Sequence, residues 1–496
     1  MITLDGTAVT VDHLLAVART GEPVAAGAVV RDRLSAARAV VDRFAASDTP
    51  IYGLNSGLGA NAGHLLEPAQ RTRYQARAIR ARSVGIGASA SMQRVRATLF
   101  ARLAGLAAGG SGISPAVFDA LLAMLNAGVL PVVPTTGSIG VADLPPMSHA
   151  MLVLVGEGEA EFGGERLPGA EALHRAGLSP AVLGPKDGLA LISSNAYTVG
   201  GAALALADVD AAMHLLDRAA VLSMEGFRAN LSPLRPEALS ARPAPGIAES
   251  ARRLHALLDG SALWNDGAAR RVQDPLSLRC VPQIHGAVLW AHGQARDHVE
   301  AELDGAGDSP LVLVDSGTLI STANFHIPGL ALAMESLGLA MAQAASACVQ
   351  RCLRLYSPSA SGLPLQLTAH GPAHSGFAAM QKTLTALWNQ VRHLANPACL
   401  DFFPLSEGAE DHAPMAPQVV DKTARIADAL VSLAAIELLG AAQAVDLCGA
   451  AFDKLGAGAR QAYDRVRARV PMLDRDRPLG PDVDLLRERL LVGDFA

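Results

Sequence analysis

The spacing of apolar residues changes along the chain and predicts two regions. In the first region the helical patterns are short, as over 93–108 and Ser114–Ala127, and glycines interrupt them. The densest interruption is at 52–59, YGLNSGLG, which predicts a loop with unusual backbone angles. Beyond about residue 200 the apolar stripes become much longer. We therefore predict a mainly helical N-terminal domain over 1–200 and a helical bundle with a C-terminal tail over 201–496.

Five long apolar stripes with helical spacing make up the second region. They cover Ala202–Leu222, Ile284–Asp304, Pro328–Leu355, Gly376–Leu394 and Val420–Cys448. Helices of this length bury their apolar faces side by side in a bundle, and flat apolar faces on them often join subunits. At the other end of the chain, Thr3–Val11 alternates around Asp5-Gly6 and predicts a small hairpin.

Two of these stripes are apolar enough to resemble membrane helices. They cover 329–349 and 430–450, and each has a glutamate near its middle, Glu335 or Glu437. Carboxylates and abundant small residues fit buried helices of a soluble bundle better than a membrane span. Half of the residues are hydrophobic but only 4% are aromatic, and alanine and leucine dominate. This composition favours packed helices over sheet.

The charge and cysteine content narrow the partners and the compartment. The net charge is −6 over 496 residues, and no block rich in Lys or Arg points to nucleic acid. Five scattered cysteines suit a reducing cytosol better than a disulfide framework. The N-terminus lacks the basic and apolar segments of a signal peptide, and the His and Cys residues lack metal-ligand spacing. We expect a cytoplasmic protein with no metal site and no membrane or nucleic-acid partner.

Eight segments resemble motifs of the histidine and aromatic amino acid ammonia-lyases. They are YGLNSGLG (52–59), GSIG (137–140), DLPPMSHAMLVLVGEGEA (143–160), RVQDPLSLRCVPQIHG (271–286), NFH (324–326), SGLP (361–364), EDH (410–412) and DRPLGPD (476–482). They follow the family's order over nearly the whole chain. The resemblance implies an all-α, ammonia-lyase/fumarase-like fold with a long central helical bundle. It also implies a homotetramer whose active sites draw on more than one subunit.

One segment departs from the family at its centre. Family members carry a methylidene-imidazolone ring that forms autocatalytically from an Ala-Ser-Gly triad. Here the corresponding loop is Gly140-Val141-Ala142-Asp143, which is one residue shorter. Ring closure needs a glycine nitrogen, and the exocyclic alkene needs a serine or cysteine that loses water. Val141 and Ala142 supply neither, so we expect the prosthetic ring to be absent and no cofactor to be present.

Three further changes fall where the resemblance places the neighbours of the ring. The family's ring-supporting asparagine corresponds to Ser193, the tyrosine of QDxYSLR to Leu276, and a histidine before GVG to Arg82. Three changes around one lost group are typical of a re-tooled site rather than of random damage.

The residues that bind and deprotonate substrate in the family persist. Arg279 corresponds to the arginine that grips the substrate carboxylate, a role that suits its planar fork; a structural ion pair is the alternative. Tyr52 corresponds to the catalytic base. Since a phenol loses its proton only near pH ~10 in water, this role needs nearby positive charge, from Arg82 or Arg279. An amphipathic loop tyrosine is the alternative.

Four other positions complete the candidate site. Glu410 matches a glutamate that faces the substrate's amine or side chain, and a solvated helix-end carboxylate is the alternative. Gln273 and Asn324 either bind substrate or pin loops. Phe325 is a candidate wall residue, together with Leu276.

Three functions remain open. The first in rank is a lyase or isomerase that works without the ring, moving a proton with Tyr52 on a small amino acid or related carboxylate held by Arg279. The second is an ammonia-lyase of histidine or an aromatic amino acid in the usual sense. The third is a non-catalytic binding or scaffold paralogue, for which decay of Tyr52 and Arg279 is expected, yet both are present.

Overall fold

Helices dominate the computed structural model, which describes residues 1–45, 47, 50–59, 64–400, 402–449 and 454–493. In chain order the helices are α1 (Val11–Leu15), α2 (Ala28–Ala45), α3 (Pro68–Arg80), α4 (Met92–Ala107), α5 (Pro115–Ala127), α6 (Leu144–Leu154), α7 (Gly169–Arg175), α8 (Asp187–Ile192), α9 (Ala196–Phe227), α10 (Pro236–Ser240), α11 (Ile247–Leu257), α12 (Leu276–Arg279), α13 (Val281–Asp304), α14 (Pro328–Leu355), α15 (Pro358–Ser361), α16 (Met380–Leu394), α17 (Ala416–Cys448), α18 (Ala457–Arg467) and α19 (Gly480–Leu491). The predicted all-α class is confirmed. The five long stripes lie in α9, α13, α14, α16 and α17.

Short strands link some of the helices. They are β1 (Ile2–Leu4), β2 (Val24–Ala26), β3 (Ile86–Ser89), β4 (Leu130–Pro131), β5 (Pro134–Thr136), β6 (Glu159–Phe162), β7 (Glu165–Pro168), β8 (Leu311–Leu313) and β9 (Thr318–Ile320). The predicted N-terminal hairpin over Thr3–Val11 is wrong. β1 instead pairs in parallel with β2, joining Ile2 to Val24, and α1 begins at Val11. The side chain of Thr10 caps α1 by accepting from the backbone N–H of His13, which ends the extended segment.

The described residues form two compact units, each made of three chain segments. The first unit contains Met1–Leu204, Ala295–Ala333 and Pro397–Asp421, and the second contains Ala205–Gln294, Met334–Asn396 and Lys422–Ala496. Helices α9, α13, α14 and α17 each contribute residues to both units. The predicted domain ranges 1–200 and 201–496 stay a prediction.

A buried charged cluster joins three long helices within the second unit. Arg351 on α14 donates to both carboxylate oxygens of Glu437 on α17, at 2.5 and 2.8 Å. Ser223 on α9 donates to the same carboxylate at 2.7 Å. All three residues are buried, and the paired charges and hydrogen bonds offset the cost of removing them from water. The cluster therefore fixes the register of these helices along one another.

Three helical stretches are long and apolar enough, by length and composition alone, to cross a membrane. They are Asp187–Phe227, Pro328–Leu355 and Ala416–Cys448. Two of them supply Arg351 and Glu437, the pair whose charges meet inside the second unit. All five cysteines are unbridged thiols.

Candidate active site

The loop Gly140–Asp143 is held at both ends. Gly140 has a positive φ of 80°, and a Cβ atom at this position would lie 2.9 Å from the backbone nitrogen of Ala416. Ala142 also has a positive φ, 49°, in a conformation that costs a residue with a side chain some free energy. The backbone N–H of Asp143 donates to the carbonyl of Ser194 at 2.8 Å. The loop thus has one fixed path between two anchored residues.

The carboxylate of Asp143 is the buried anchor of this loop. It is fully buried and accepts from Ser138 Oγ at 2.7 Å, from Thr198 N at 2.7 Å and from Thr198 Oγ1 at 2.9 Å. Burial raises the pKa of Asp143, while the hydrogen bonds from Ser138 and Thr198 and the charge of Arg94 lower it. Asp143 and Pro145-Pro146 set the start of α6, because proline fits the first turn of a helix.

The NFH segment lies directly against this loop. His326 forms an isolated β-bridge with Val141. One residue earlier, the carbonyl of Phe325 accepts from Asn195 Nδ2 at 2.6 Å. Asn195 is buried, and its Oδ1 atom has no hydrogen-bond partner among the described residues. Phe325 is half-buried, and its backbone carbonyl is held by Asn195.

The segment after EDH fixes the other side of the same loop. Met415 N donates to the carbonyl of Ile139 at 3.0 Å, and Gln418 Nε2 donates to the carbonyl of Ser138 at 2.8 Å. His412 Nδ1 lies 2.9 Å from His326 Nε2, with the two rings edge to face. The first unit therefore brings together the loop, the NFH segment and the EDH segment.

The glycine-rich loop that carries Tyr52 packs on α3 and α8. Gly53 has a φ of 66°, and a Cβ there would lie 2.4 Å from a methyl carbon of Leu189. Gln75 on α3 bridges the two elements: its Nε2 donates to the Gly53 carbonyl at 3.1 Å, and its Oε1 accepts from Leu189 N at 3.2 Å. Leu58, also in this loop, is buried in the contact.

Tyr52 itself is 38% exposed, and its hydroxyl accepts from Gly59 N at 3.0 Å. It faces a second phenol, Tyr74, whose pKa is raised mainly by burial and further by Tyr52. The charge of Arg82 lowers the pKa of Tyr74, so this guanidinium lies close to the phenol pair. Arg82 also donates to the carbonyl of Ala78 at 3.2 Å, which holds it at the end of α3.

Three other predicted residues of the first unit have defined places. Ser193 is buried and ends α8. Glu410 is half-buried and pairs through its backbone with Leu405. Asn324 Nδ2 donates to the carbonyl of Ala306 at 3.1 Å, so in this structure its side chain pins a loop.

The predicted carboxylate-binding residue lies in the second unit. Arg279 ends the short helix α12 and is half-buried, and its Nε atom has no hydrogen-bond partner among the described residues. Asp274 is buried nearby: burial raises its pKa, and a hydrogen bond from Asn230 and the charges of Arg271 and Arg279 lower it. A guanidinium N–H that is buried but unpaired is available for a ligand carboxylate.

Leu276 and Gln273 are both exposed. Leu276 lines a cavity of about 450 Å³ within the second unit. The other lining residues are Arg271, Pro275, Ser277, Gln350, Arg354, Ser359 and Ala360. Its lining mixes charged, polar and apolar side chains, which suits a small amphipathic molecule.

Sequence reasoning missed the contact of His326 with His412 and the roles of Asn195 and Thr198. The motifs contained both histidines, but spacing alone gives no distance between residues 86 positions apart. His149 accepts from Gly85 N at 3.1 Å, and burial lowers its pKa, so it is a neutral acceptor. No group of three or more His, Cys, Asp or Glu in the described ranges is arranged to hold a metal ion.

Comparison with known proteins identifies close relatives over the full length. The histidine ammonia-lyase of Gloeobacter violaceus is 39% identical, covering 99% of this chain and 96% of the relative. The histidine ammonia-lyase of Stigmatella aurantiaca is 38% identical, covering 97% of this chain and 94% of the relative. Among solved structures, ergothionase, the ergothioneine-degrading enzyme of Treponema denticola, matches with a TM-score of 0.96 and 30% identity over 100% of this chain and 99% of its own. The histidine ammonia-lyase of Trypanosoma cruzi matches with a TM-score of 0.90 and 30% identity, over 100% and 94%.

These relatives overturn the function that ranked first in the sequence analysis. A ring-independent lyase or isomerase acting on an unspecified small carboxylate is wrong as the leading hypothesis. Eight relatives with 35–39% identity over nearly the whole chain are named histidine ammonia-lyases. They favour the ammonia-lyase reaction, which ranked second. One altered motif is weaker evidence about the reaction than sequence identity along the rest of the chain.

The family itself is clear from the extent of the match. The model of the aromatic amino acid lyase family matches residues 9–468. This range includes the loop, the Tyr52 segment, the Arg279 helix and the two histidine-bearing segments. The chain belongs to the aromatic amino acid lyase family.

Proposed function

We propose that the protein is a carbon–nitrogen lyase that performs an ammonia-lyase reaction on histidine or a closely related amino acid. The observation that carries this proposal is the 39% identity over 99% of the chain to a histidine ammonia-lyase. Retention of Tyr52 and Arg279 in their motifs supports it, because an elimination needs a base and a carboxylate clamp.

The reaction balances with the groups that this chain supplies. Arg279 binds the substrate carboxylate through paired hydrogen bonds. Tyr52, as phenolate, takes a proton from the β-carbon, and the electrons of that C–H bond form the Cα–Cβ double bond. The Cα–N bond breaks, and the ammonium group leaves as neutral ammonia with the bonding electrons. Glu410 faces the amine, where a carboxylate stabilises the ammonium of the bound substrate.

A separate proposal concerns the prosthetic ring: we propose that it does not form in this chain. The residues of the loop do not fit the group. Val141-Ala142-Asp143 has neither a dehydratable side chain nor a glycine. The nitrogen in the attacking position is that of Asp143, and its N–H already donates to the carbonyl of Ser194. No step above is routed through the ring.

Intact-protein mass spectrometry tests the ring proposal. The expected mass is the encoded one, because no water is lost. A deficit of two water molecules contradicts the proposal, and borohydride sensitivity of the activity would do so independently.

Substrate assays test the reaction. We expect release of ammonia from histidine and formation of a conjugated alkene that absorbs in the ultraviolet. Phenylalanine and tyrosine are the comparison substrates. Tyr52→Phe should lower kcat by about a hundredfold or more. Arg279→Lys, which keeps the charge but loses the fork, should raise KM by about tenfold or more. Tyr463→Phe is the matched control, since that phenol is bonded to Asp446 in the second unit.

A second candidate substrate is ergothioneine, the trimethylammonium 2-thione derivative of histidine. The specific observation is the TM-score of 0.96 to ergothionase over the whole of this chain. Trimethylammonium is a better leaving group than ammonium, which suits a loop that lacks the residues for the ring. Trimethylamine release from ergothioneine with no ammonia release from histidine would replace the first candidate by the second. No release from any of these substrates, together with a stable complex with a second family member, would instead support the scaffold alternative.

We further propose a cytoplasmic homotetramer without nucleic-acid or membrane partners. The net charge of −6 and the lack of basic blocks support the absence of nucleic-acid partners. The buried Arg351–Glu437 pair supports a soluble bundle. Exposed apolar side chains, such as Phe403 at 71% exposure and Val272 at 90%, support burial against other subunits.

A further inference from the structure

Two imidazoles form a direct hydrogen bond beside the loop Gly140–Asp143. His326 Nε2 and His412 Nδ1 are 2.9 Å apart, a distance at which one nitrogen donates a proton and the other accepts it. The rings meet edge to face with centroids 4.9 Å apart. The pair, which we call the histidine pair, joins two segments that are 86 residues apart in the chain.

The surroundings hold the histidine pair in place at the loop. His326 forms a β-bridge with Val141 through its backbone, and the neighbouring Phe325 carbonyl accepts a hydrogen bond from Asn195. On the other side, Met415 and Gln418 hold the segment that follows His412 against Ile139 and Ser138. These hydrogen bonds fix the chain next to both histidines relative to the loop. His412 is exposed and His326 is half-buried, so the pair is accessible to a small molecule.

We propose that the histidine pair holds one proton at the loop and delivers it to the amine that leaves in the elimination. This inference rests on the proposed function. A donated N–H between two imidazoles allows a single added proton to be shared, whereas a second one breaks the hydrogen bond and brings two positive charges together.

The charges around the histidine pair agree with this behaviour. Burial lowers the pKa of His326, and the charge of His412 lowers it further. The other titratable groups on the segments that meet here are Glu410 and Asp411, beside His412 in the chain, and Asp143, which is buried in its own hydrogen bonds. A lowered pKa makes the His326 imidazolium a stronger acid, and so a better proton donor once it is protonated.

The proton transfers balance as follows. The base takes the β-proton, the Cα–N bond breaks, and the amine departs with the bonding electrons. The imidazolium of the pair gives its proton to the free amine, which becomes an ammonium ion and loses the lone pair needed for re-addition. The β-proton returns from the base through solvent to the pair. Neither oxidant nor co-reactant is required.

Two readouts on the full-length protein test the proposal. The first is the titration of each histidine, followed by hydrogen–deuterium exchange at the imidazole C2 position with mass spectrometry. His412→Gln keeps a hydrogen-bonding side chain but cannot carry a proton. We expect the pKa of His326 to rise in this variant, because the repelling charge is gone. An unchanged titration of His326 would overturn the shared proton.

The second readout is steady-state kinetics with the substrate that the wild-type protein turns over. We expect His412→Gln to lower kcat by about tenfold to a hundredfold while KM changes by less than about threefold. Added imidazole should restore part of the activity of His412→Ala, which separates proton delivery from a loss of folding. The matched control is His174→Gln, an exposed histidine on α7, which should retain wild-type kcat.

The outcomes separate the two proposals. If His412→Gln keeps the wild-type kcat while the pKa of His326 rises in it as expected, the delivery step is overturned but the lyase function stands. Absence of elimination by the wild-type protein on histidine and ergothioneine overturns the proposed function, and the delivery step with it.

Discussion

Glu225 on α9 is a single carboxyl group buried in the second unit at a cost to stability. It is fully buried, accepts from Gly456 N at 2.8 Å, and has a second oxygen without a partner among the described residues. Burial raises its pKa to about 7 from 4.5. Because the folded state holds this proton more tightly than the unfolded state, stability falls as the pH rises between these two values.

This shift predicts a pH dependence with a defined sign. Raising the pH from 4.5 to about 7 should lower the folding stability of the wild-type protein by about 3 kcal/mol, because Glu225 ionises in the unfolded state but stays protonated in the folded state. Glu225→Gln removes the charge, so its melting temperature should exceed that of the wild type at pH 8 and approach it at pH 5. Thermal unfolding at the two pH values measures the effect. Parallel changes of both proteins with pH would contradict the prediction.

At the scale of elements, α9 packs closely against α4 and also binds the loop Gly140–Asp143. Gly200 on α9 lies so close to α4 that a Cβ would be 2.8 Å from the carbonyl carbon of Ala97 and 2.9 Å from Thr98 N. Two residues earlier on α9, Thr198 donates twice to Asp143. The missing side chain at Gly200 therefore sets the depth at which α9 holds the anchor of the loop.

Gly200→Ala should reverse the usual effect of this substitution in a helix. Alanine normally stabilises a helix interior relative to glycine by about 0.5–1 kcal/mol. At Gly200 the new methyl group meets backbone atoms that cannot move aside, so we expect a loss of about 1–3 kcal/mol. Gly293→Ala is the matched control, because that helical position on α13 has nothing within 4 Å, and it should stabilise. Equal melting temperatures for the two variants would contradict the close packing.

The elements also mark the limit of prediction from sequence. The 3.6-residue period found the long helices, and α14 begins and ends at the predicted residues Pro328 and Leu355. The predicted N-terminal hairpin was wrong because the alternation over Thr3–Val11 does not indicate which strand pairs with this segment. The partner of β1 is Val24–Ala26, and a parallel pairing across α1 leaves no turn signal in the sequence.

At the scale of the whole molecule, the candidate residues are distributed over both units. Tyr52 and the loop belong to the first unit, and Arg279 belongs to the second. The family resemblance implies sites that draw on more than one subunit, and with the proposed tetramer this predicts that activity depends on assembly.

Complementation between two inactive variants tests this requirement. Tyr52→Phe and Arg279→Ala should each be inactive when expressed alone. In a randomly mixed tetramer, a site that takes Tyr52 from one subunit and Arg279 from another regains both residues in roughly a quarter of cases. Co-expression of differently tagged chains, tandem purification and an activity assay measure the recovery. The purified wild-type protein should also have four times the chain mass of 51.1 kDa by light scattering. Failure of the mixed tetramer to regain activity would show that each site is built from one chain.

Motifs supplied candidate residues for the site but not their contacts. The resemblance named the loop, NFH and EDH segments, and the structure shows that these segments touch one another. It could not give the histidine pair or the Thr198 bonds to Asp143, since these depend on rotamers and on helix depth. The reaction predicted first was also wrong, because one altered motif indicates which residues are absent but not which reaction the rest of the chain catalyses.

The anchored ends of the loop restrict how an Ala-Ser-Gly triad could be introduced into this chain. A Cβ at Gly140 would meet Ala416, and Asp143 is fixed in buried hydrogen bonds, with two residues between them. Point mutations at Val141 and Ala142 change side chains but not chain length. We therefore expect that a triad placed here needs an inserted residue and repacking around both ends of the loop.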